Sequence, residues 1–260
     1  MSPLHLTTQT IYGIFEEEIK SLSGHVIKTS DDGRRLYIRA ILPYVRQIQR
    51  GDRLRGGVAL KTFSNEIWVH PYVFRVVCSN GAIISHALQT RYLTGLEIQT
   101  PEEADTALRI AIQDCSAEAG FRNAIEDFRS AINLRPDREM NLLTRINQWA
   151  PGLFEQISGQ FFSGSDRSRY GLTNAVTAVA REIRDPELQW RMEKLGGAMA
   201  SGRPMDALVL GSPALHLGVR LERLGSDRGQ HAAHLVPVGA PRPHSLDACL
   251  VQPTVAHLVP

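Results

Sequence analysis

A cysteine and two histidines stand close together in the middle of the chain, where they could supply a nucleophile and its base. Cys78 lies between His70 and His86, and a thiol activated by an imidazole is the basis of one class of hydrolase. However, Cys78 ends an apolar run that begins at Tyr72, and no acidic residue is evident that would orient an imidazole. We therefore predict that the protein is not an enzyme. A Cys/His hydrolase is kept as a third hypothesis, after the two that are given at the end of this section.

A denser set of residues with binding chemistry combines basic side chains and aromatic rings in one β-rich stretch. Its members are Tyr37, Arg39, Tyr44, Arg46, Arg53, Arg55, Lys61, Phe63, Trp68, Tyr72, Phe74 and Arg75. Aromatic rings on a sheet stack nucleic-acid bases, and arginines neutralise phosphates. We predict nucleic-acid contacts by Arg39, Arg46, Arg53, Arg55, Lys61, Trp68 and Arg75. The alternative is that strand alternation turns the aromatic rings into the core and the arginines to water.

Charge is unevenly distributed along the chain although the net charge is only +2. Between Asp31 and Arg75, nine basic residues outnumber four acidic ones, whereas between Glu97 and Arg145 ten acidic residues outnumber six arginines. Such asymmetry can mark a nucleic-acid surface. It can equally mean that a basic sheet pairs with acidic helices of the same molecule, and we favour this internal pairing.

The elements that must position these side chains change type along the sequence. Apolar residues from Ile11 to Leu22 recur at helical spacing, and Ser23–Gly24 ends that helix. Short apolar runs separated by turn residues follow and predict an antiparallel meander of strands. Pro43 is expected to end one of these strands because it cannot donate to a ladder. Helical periodicity then returns, and the order of helix, strands and helices predicts an α+β fold.

We predict a single α+β domain over residues 1–205, in which an antiparallel meander is flanked by helices. Its β-rich part lies at 36–86 and its helical part at 101–201. Residues 206–260 contain none of the 17 aromatic residues, but five of the nine histidines and six of the 14 prolines. Because such a composition is poorly equipped to build a core of its own, we predict a flexible or atypical tail.

Composition narrows the class of protein further. No apolar run approaches the roughly 18 residues that cross a bilayer, and the N-terminus lacks the features of a secretory signal. We therefore expect a cytoplasmic protein without a membrane partner. Three cysteines far apart argue against a disulfide framework, and His231 and His234 lack a third metal ligand. Since no glycine-rich phosphate loop is present either, we predict neither a metal nor a cofactor.

Two segments of the sequence resemble a known family. Arg75–Gly81, preceded by Gly56–Val58 and Ser64–Glu66, is similar to the core of the bacterial phage/plasmid-like proteins, or domain of unknown function 932. Tyr170–Thr177 resembles the opening of a C-terminal helix in the same family. The chain departs from the family's usual order of asparagine and serine at Ser64–Asn65. The resemblance implies residence on a phage or plasmid-like element, and it assigns no catalytic mechanism or functional residues.

Within the first of these segments, Cys78, Ser79, Asn80 and Gly81 are expected to form a tight turn, because Asn-Gly tolerates the positive φ that hairpin turns need. The leading hypothesis is a non-enzymatic accessory protein of a mobile element that binds nucleic acid, with single-stranded DNA as the expected partner. The second hypothesis is a protein-interaction or structural module, for example a homo-oligomer, that has no nucleic-acid role.

Overall fold

The computed structural model describes residues 6–63, 66–77, 79–84, 90–94 and 100–205. Within these ranges the chain forms one helix, a series of strands and then a series of helices. The elements are α1 Thr8–Ser21, β1 His25–Asp31, β2 Leu36–Gln49, β3 Asp52–Phe63, β4 Glu66–Arg75, β5 Asn80–Ile83, β6 Arg91–Thr94, α2 Pro101–Cys115, α3 Glu118–Ile132, α4 Asp137–Leu143, a 3-10 helix Thr144–Gln148, α5 Leu153–Ser163, α6 Arg169–Glu182 and α7 Pro186–Ala200. The predicted α+β class is confirmed.

The strands form one antiparallel sheet in the order β1-β2-β3-β4-β5, and β6 pairs with the first half of β4. This order confirms the predicted meander. The strand β2 continues through Pro43 to Gln49, so the expectation that Pro43 ends the strand is wrong. The register of β2 against β3 shifts between Ile41 and Val45. A proline is tolerated there because such an irregularity removes the ladder hydrogen bond that it cannot donate.

Helices on two sides cover the sheet. Successive residues of a strand point to opposite faces, so the sheet has one face towards α1 and α2 and another towards α7. On the first, here called the α1 face, Ile38, Leu60 and Val69 form a buried core with Phe15 of α1 and Leu108 of α2. The opposite face, here called the α7 face, carries the polar and aromatic residues described below.

Local side-chain chemistry sets where several helices begin. The Thr7 hydroxyl accepts a hydrogen bond from the backbone N–H of Thr10 at the start of α1. At the start of α2, Thr100 and Glu103 cap each other's backbone N–H groups, and the Asp185 carboxylate caps α7. These contacts satisfy N–H groups that a helix leaves without partners in its first turn.

Two adjacent glycines allow α7 to lie close to its neighbours. A Cβ atom at Gly197 would overlap the Ile83 carbonyl of β5, and one at Gly196 would press on the Thr177 side chain of α6. On another side of α7, Met192 is fully buried in a core shared with α5 and α6. The position of α7 is therefore fixed by backbone contact with the sheet as well as by apolar packing.

The turn expected after β4 is placed differently from the prediction. Asn80 and Gly81 are paired residues of β5, and the positive φ of 50° belongs to Ser79; Cys78 lies outside the described residues. The prediction that Asn80 and Gly81 themselves form the turn is wrong. A glycine is needed at position 81 for a different reason: a Cβ atom there would overlap the Tyr72 hydroxyl.

The close approach of α7 to the sheet makes Gly197→Ala a direct test of the fold. We expect a loss of about 1–3 kcal/mol in the free energy of unfolding, since the added methyl group must displace the strand backbone. The matched control is Gly159→Ala in α5, where no atom lies within 4 Å of the new Cβ and helix propensity should stabilise the protein by up to about 1 kcal/mol. Urea unfolding of both variants measures the difference, and equal effects would contradict the packing.

Candidate functional site

Four residues on neighbouring strands form a cross-strand row on the α7 face. Tyr37 of β2 lies opposite Lys61 of β3, Lys61 lies opposite Trp68 of β4, and Trp68 lies opposite Tyr92 of β6. Directly opposed residues of antiparallel strands share a face and stand close enough to interact. We call these four residues the aromatic row. It gathers Lys61 and Trp68 of the predicted set and adds Tyr92, which the sequence analysis did not single out.

The geometry of the aromatic row places a cation between rings. The Lys61 Nζ atom lies 5.3 Å from the centre of the Trp68 ring and 5.8 Å from that of Tyr37, within the range of cation–π attraction. The Trp68 and Tyr92 ring centres are 5.4 Å apart at an interplanar angle of 38°. Beyond the row, the Arg35 guanidinium lies over the Phe63 ring at 4.9 Å.

Exposure rises along the aromatic row from one end to the other. Tyr37 is buried at 2% exposure, Trp68 is partly exposed and Tyr92 is 46% exposed. All four residues share one face, so strand alternation does not separate the rings. Tyr37 is buried where it meets Glu187 and Trp190 of α7, whereas Trp68 and Tyr92 present ring surface to solvent.

Carboxylates at both ends hold the polar atoms of the aromatic row. The Glu187 carboxylate of α7 lies 2.6 Å from the Lys61 Nζ atom and accepts a hydrogen bond from the Tyr37 hydroxyl at 2.7 Å. Burial opposes the charge on Glu187, but Lys61 and the Tyr37 hydroxyl together lower its pKa. At the other end the Tyr92 hydroxyl donates to Glu66, and this bond raises the pKa of Tyr92 to about 12. Both carboxylates fix side-chain positions and reduce the positive charge of the row.

The next row on the same face is buried beneath α7 and corrects one prediction. Arg39 is 1% exposed, its Nε atom donates to Glu193 at 2.6 Å, and its guanidinium lies 5.6 Å from the Trp190 ring centre. Burial raises the pKa of Glu193, and the charge of Arg39 opposes that rise. Because this guanidinium is enclosed between sheet and helix, it is not available to a phosphate backbone, and Arg39 leaves the predicted set.

Arg75 is also held by an internal partner. Its guanidinium makes hydrogen bonds of 2.8–3.0 Å to both carboxylate oxygens of Asp52, and Asp52 also accepts from the Tyr170 hydroxyl at 2.8 Å. A fork of this kind between arginine and carboxylate is strong and geometrically specific. Arg75 therefore connects β3, β4 and α6 rather than offering a free charge. Asp52 was not predicted as its partner because the two residues are 23 positions apart and meet only through the pairing of β3 with β4.

The two segments that carry the family resemblance meet at this point. The Asn80 side chain donates to the Thr177 hydroxyl at 2.6 Å, and Arg75 lies beside Tyr170. These contacts join residues that are more than ninety positions apart in the sequence. Their side chains lock α6 against β4 and β5, which is a structural role.

The remaining predicted basic residues lie on different surfaces. Arg46 is exposed and pairs with Glu118 of α3 at 2.7 Å. Arg53 is exposed and Arg55 is half-buried on β3, on the α7 face but beyond the part that α7 covers. The structure thus places Lys61 with Trp68 and Arg53 with Arg55 on two exposed parts of the α7 face. It places Arg46 and Arg75 on the α1 face and buries Arg39. Residues close in sequence are separated because alternation and α7 intervene.

The residues considered for hydrolysis do not form a site within the described chain. His70 is buried at 2% exposure, and its Nδ1 atom lies 3.0 Å from the Thr90 hydroxyl. Burial, together with the charges of Lys194 and Lys61, lowers the pKa of His70 to about 3. Cys78 and His86 lie outside the described residues.

Cys115 and the candidate metal ligands add no reactive centre in the part of the chain that the structure describes. Cys115 is buried, its thiol donates to the Val69 carbonyl, and burial raises its pKa to about 12. No three His, Cys, Asp or Glu side chains of the described ranges are grouped as metal ligands. His231 and His234 lie beyond those ranges.

Comparison with protein-family models, curated proteins and solved structures finds no match for this chain. The resemblance to the phage/plasmid-like family therefore stays a prediction. Among the helices of the described ranges, none has the length and apolar character needed to cross a membrane. The fold and the site together define an α+β protein with an aromatic and basic sheet surface.

Burial of neutral His70 predicts a specific pH dependence of stability. An unfolded histidine binds a proton near pH 6.5 whereas native His70 does so only near pH 3, so the unfolded state binds more protons in this window. Stability should therefore fall as the pH is lowered through it, by about 2 kcal/mol at pH 5. His70→Gln should remove this part of the pH dependence. His25→Gln, which changes an exposed histidine, should retain it in urea unfolding, and an unchanged slope in His70→Gln would contradict the assignment.

Proposed function

We propose that the protein is a non-enzymatic nucleic-acid-binding protein that holds a single strand on the exposed end of the aromatic row. The observation that carries this proposal is the pair of adjacent rings, Trp68 and Tyr92, with the Lys61 ammonium beside them. Bases stack on exposed aromatic rings without regard to sequence, and neighbouring cations attract the phosphates. Binding would therefore be tolerant of base sequence and sensitive to salt.

Each part of the exposed surface has a distinct task in this proposal. Trp68 and Tyr92 supply the stacking surface, and Phe63 extends it at the end of β3. Lys61 and Arg35 supply positive charge next to these rings. Glu187 holds Lys61 in place, so the ammonium is already positioned before nucleic acid binds. Less conformational entropy is therefore lost on binding.

The cellular setting of the proposal comes from the sequence resemblance. A protein of a phage or plasmid-like element that binds single-stranded DNA would act as an accessory factor in the cytoplasm, where such DNA is exposed during copying or transfer. The neighbouring genes provide an independent check. A recombinase gene or a single-strand-binding protein gene beside this one supports the proposal, whereas a toxin operon argues for the second candidate.

The binding test uses fluorescence anisotropy of labelled oligothymidine at two salt concentrations. We expect Trp68→Ala and Tyr92→Ala each to weaken binding roughly 5- to 150-fold, because stacking contributes about 1–3 kcal/mol per base. Phe162→Ala is the matched control, since Phe162 is an aromatic residue of α5 with 61% exposure far along the chain from the sheet. Thermal unfolding of each variant should show a cooperative transition, which checks that the variant is folded. Absence of binding at low salt, or equal affinity in all three variants, would refute the proposal.

A specific observation favours a second candidate, a protein-interaction module. Basic side chains of the sheet pair with helix carboxylates, as in Lys61–Glu187, Arg46–Glu118 and Arg91–Asp114. Of these pairs, Arg46–Glu118 joins the basic stretch 31–75 to the acidic stretch 97–145, and each pair reduces the charge left for phosphates. In this candidate the rings of Trp68 and Tyr92 contact a second copy of the chain.

Light scattering coupled to size-exclusion chromatography tests the second candidate. If the rings form a symmetric contact, the wild-type protein should elute as a dimer and Tyr92→Ala as a monomer. The Phe162→Ala control should remain dimeric. A monomeric wild-type protein at high concentration would contradict this candidate.

A further inference from the structure

A second exposed charged patch lies at the hairpin between β2 and β3. Arg50 is exposed at its turn, Arg53 is exposed on β3, and Arg55 is half-buried two residues further along. We call these three residues the hairpin patch. In the part of the chain that the structure describes, none of the three has an ion-pair partner. They contrast with Arg39, Arg46 and Arg75, each of which meets a carboxylate.

The one acid of this hairpin does not neutralise the patch. Asp52 is 3% exposed and turns inward, where it accepts hydrogen bonds from Arg75 and Tyr170. Its negative charge is therefore offset by Arg75 inside the molecule and does not neutralise the hairpin patch. Arg53 and Arg55 are two residues apart on one strand and so point to the same face, which leaves two like charges side by side. Like charges that lie close together destabilise the folded state until a counter-charge binds.

Arg53 and Arg55 of the hairpin patch share a sheet face with the aromatic row. Arg55 lies in register with Val45 and Phe74, one same-face row beyond the pair of Gly57 and Tyr72. Along β3 the same face then continues under α7 to Lys61. Arg55 and Lys61 are six positions apart, which corresponds to about 20 Å at the rise of a β-strand. The two exposed surfaces thus lie on either side of α7.

We propose that the hairpin patch is a second phosphate-binding site for the same single strand that stacks on the aromatic row. This inference rests on the proposed function and adds the route that the bound nucleic-acid strand takes over the protein and the length of strand that this route needs. Because α7 covers the direct line along β3, a strand that reaches both sites must pass over the helix, and it therefore needs more nucleotides than the separation of about 20 Å alone would require. Engaging both sites with one strand makes the second contact intramolecular and raises the affinity accordingly.

Oligonucleotide length and salt dependence together test this path. Oligothymidines of four nucleotides should reach only one site, whereas those of twelve should reach both and bind at least tenfold more tightly. The double variant Arg53→Gln/Arg55→Gln should abolish this gain. It should also reduce the slope of log affinity against log salt by about 1.4, since each phosphate contact to a single strand contributes about 0.7.

The matched control is Arg138→Gln/Arg145→Gln, which removes the same charge from exposed arginines of the helical part. This control should keep the wild-type slope and length dependence. If Trp68→Ala weakens binding but Arg53→Gln/Arg55→Gln behaves like the control, the second site is refuted and the proposed function stands. If no variant and no oligonucleotide length affects binding, both proposals fail. Competition by polyglutamate as strong as that by oligothymidine of equal charge would also overturn the phosphate site and assign the patch to acidic proteins.

Discussion

The buried ion pair between Arg39 and Glu193 is the interaction on which the arrangement of this protein depends. It lies between the sheet and α7, with both side chains almost fully enclosed. Removing one partner of such a pair leaves a buried charge and costs about 3–5 kcal/mol. Together with the backbone contact at Gly197, the pair specifies where α7 crosses the sheet. The contact of Glu187 with Lys61 follows from this position.

The path of α7 decides which parts of the sheet remain available to a partner. It covers the middle of one face, where His70, Tyr72 and Arg39 are buried. The aromatic row emerges on one side of the helix and the hairpin patch on the other. The sequence predicts one basic and aromatic surface, but the fold divides these residues between two surfaces with different chemistry. One offers rings with a positioned cation, and the other offers arginines that meet no carboxylate of the described residues.

The polar contacts around Asp52 have a structural role, because they hold α6 against the strands of the sheet. Arg75, Asp52 and Tyr170 form one connected set of hydrogen bonds, and Asn80 with Thr177 forms another beside it. Buried polar groups must be hydrogen-bonded to be tolerated, so these residues depend on one another across distant segments. The segments Arg75–Gly81 and Tyr170–Thr177 meet here, and side chains of one hydrogen-bond to the other directly or through Asp52.

The α+β class, the meander and most helices follow from the sequence because periodicity and turn residues act over a few neighbouring positions. The exposed β1 and the short β6 have too little apolar alternation for that signal, and Tyr92 was missed with β6. The basic and aromatic composition of the sheet was also evident from the sequence. Only the tertiary structure decided that Arg39 is buried, that Arg75 is paired and that Lys61, Trp68 and Tyr92 adjoin. Those outcomes depend on strand register and on the path of α7, which join residues far apart in the chain and leave no local pattern.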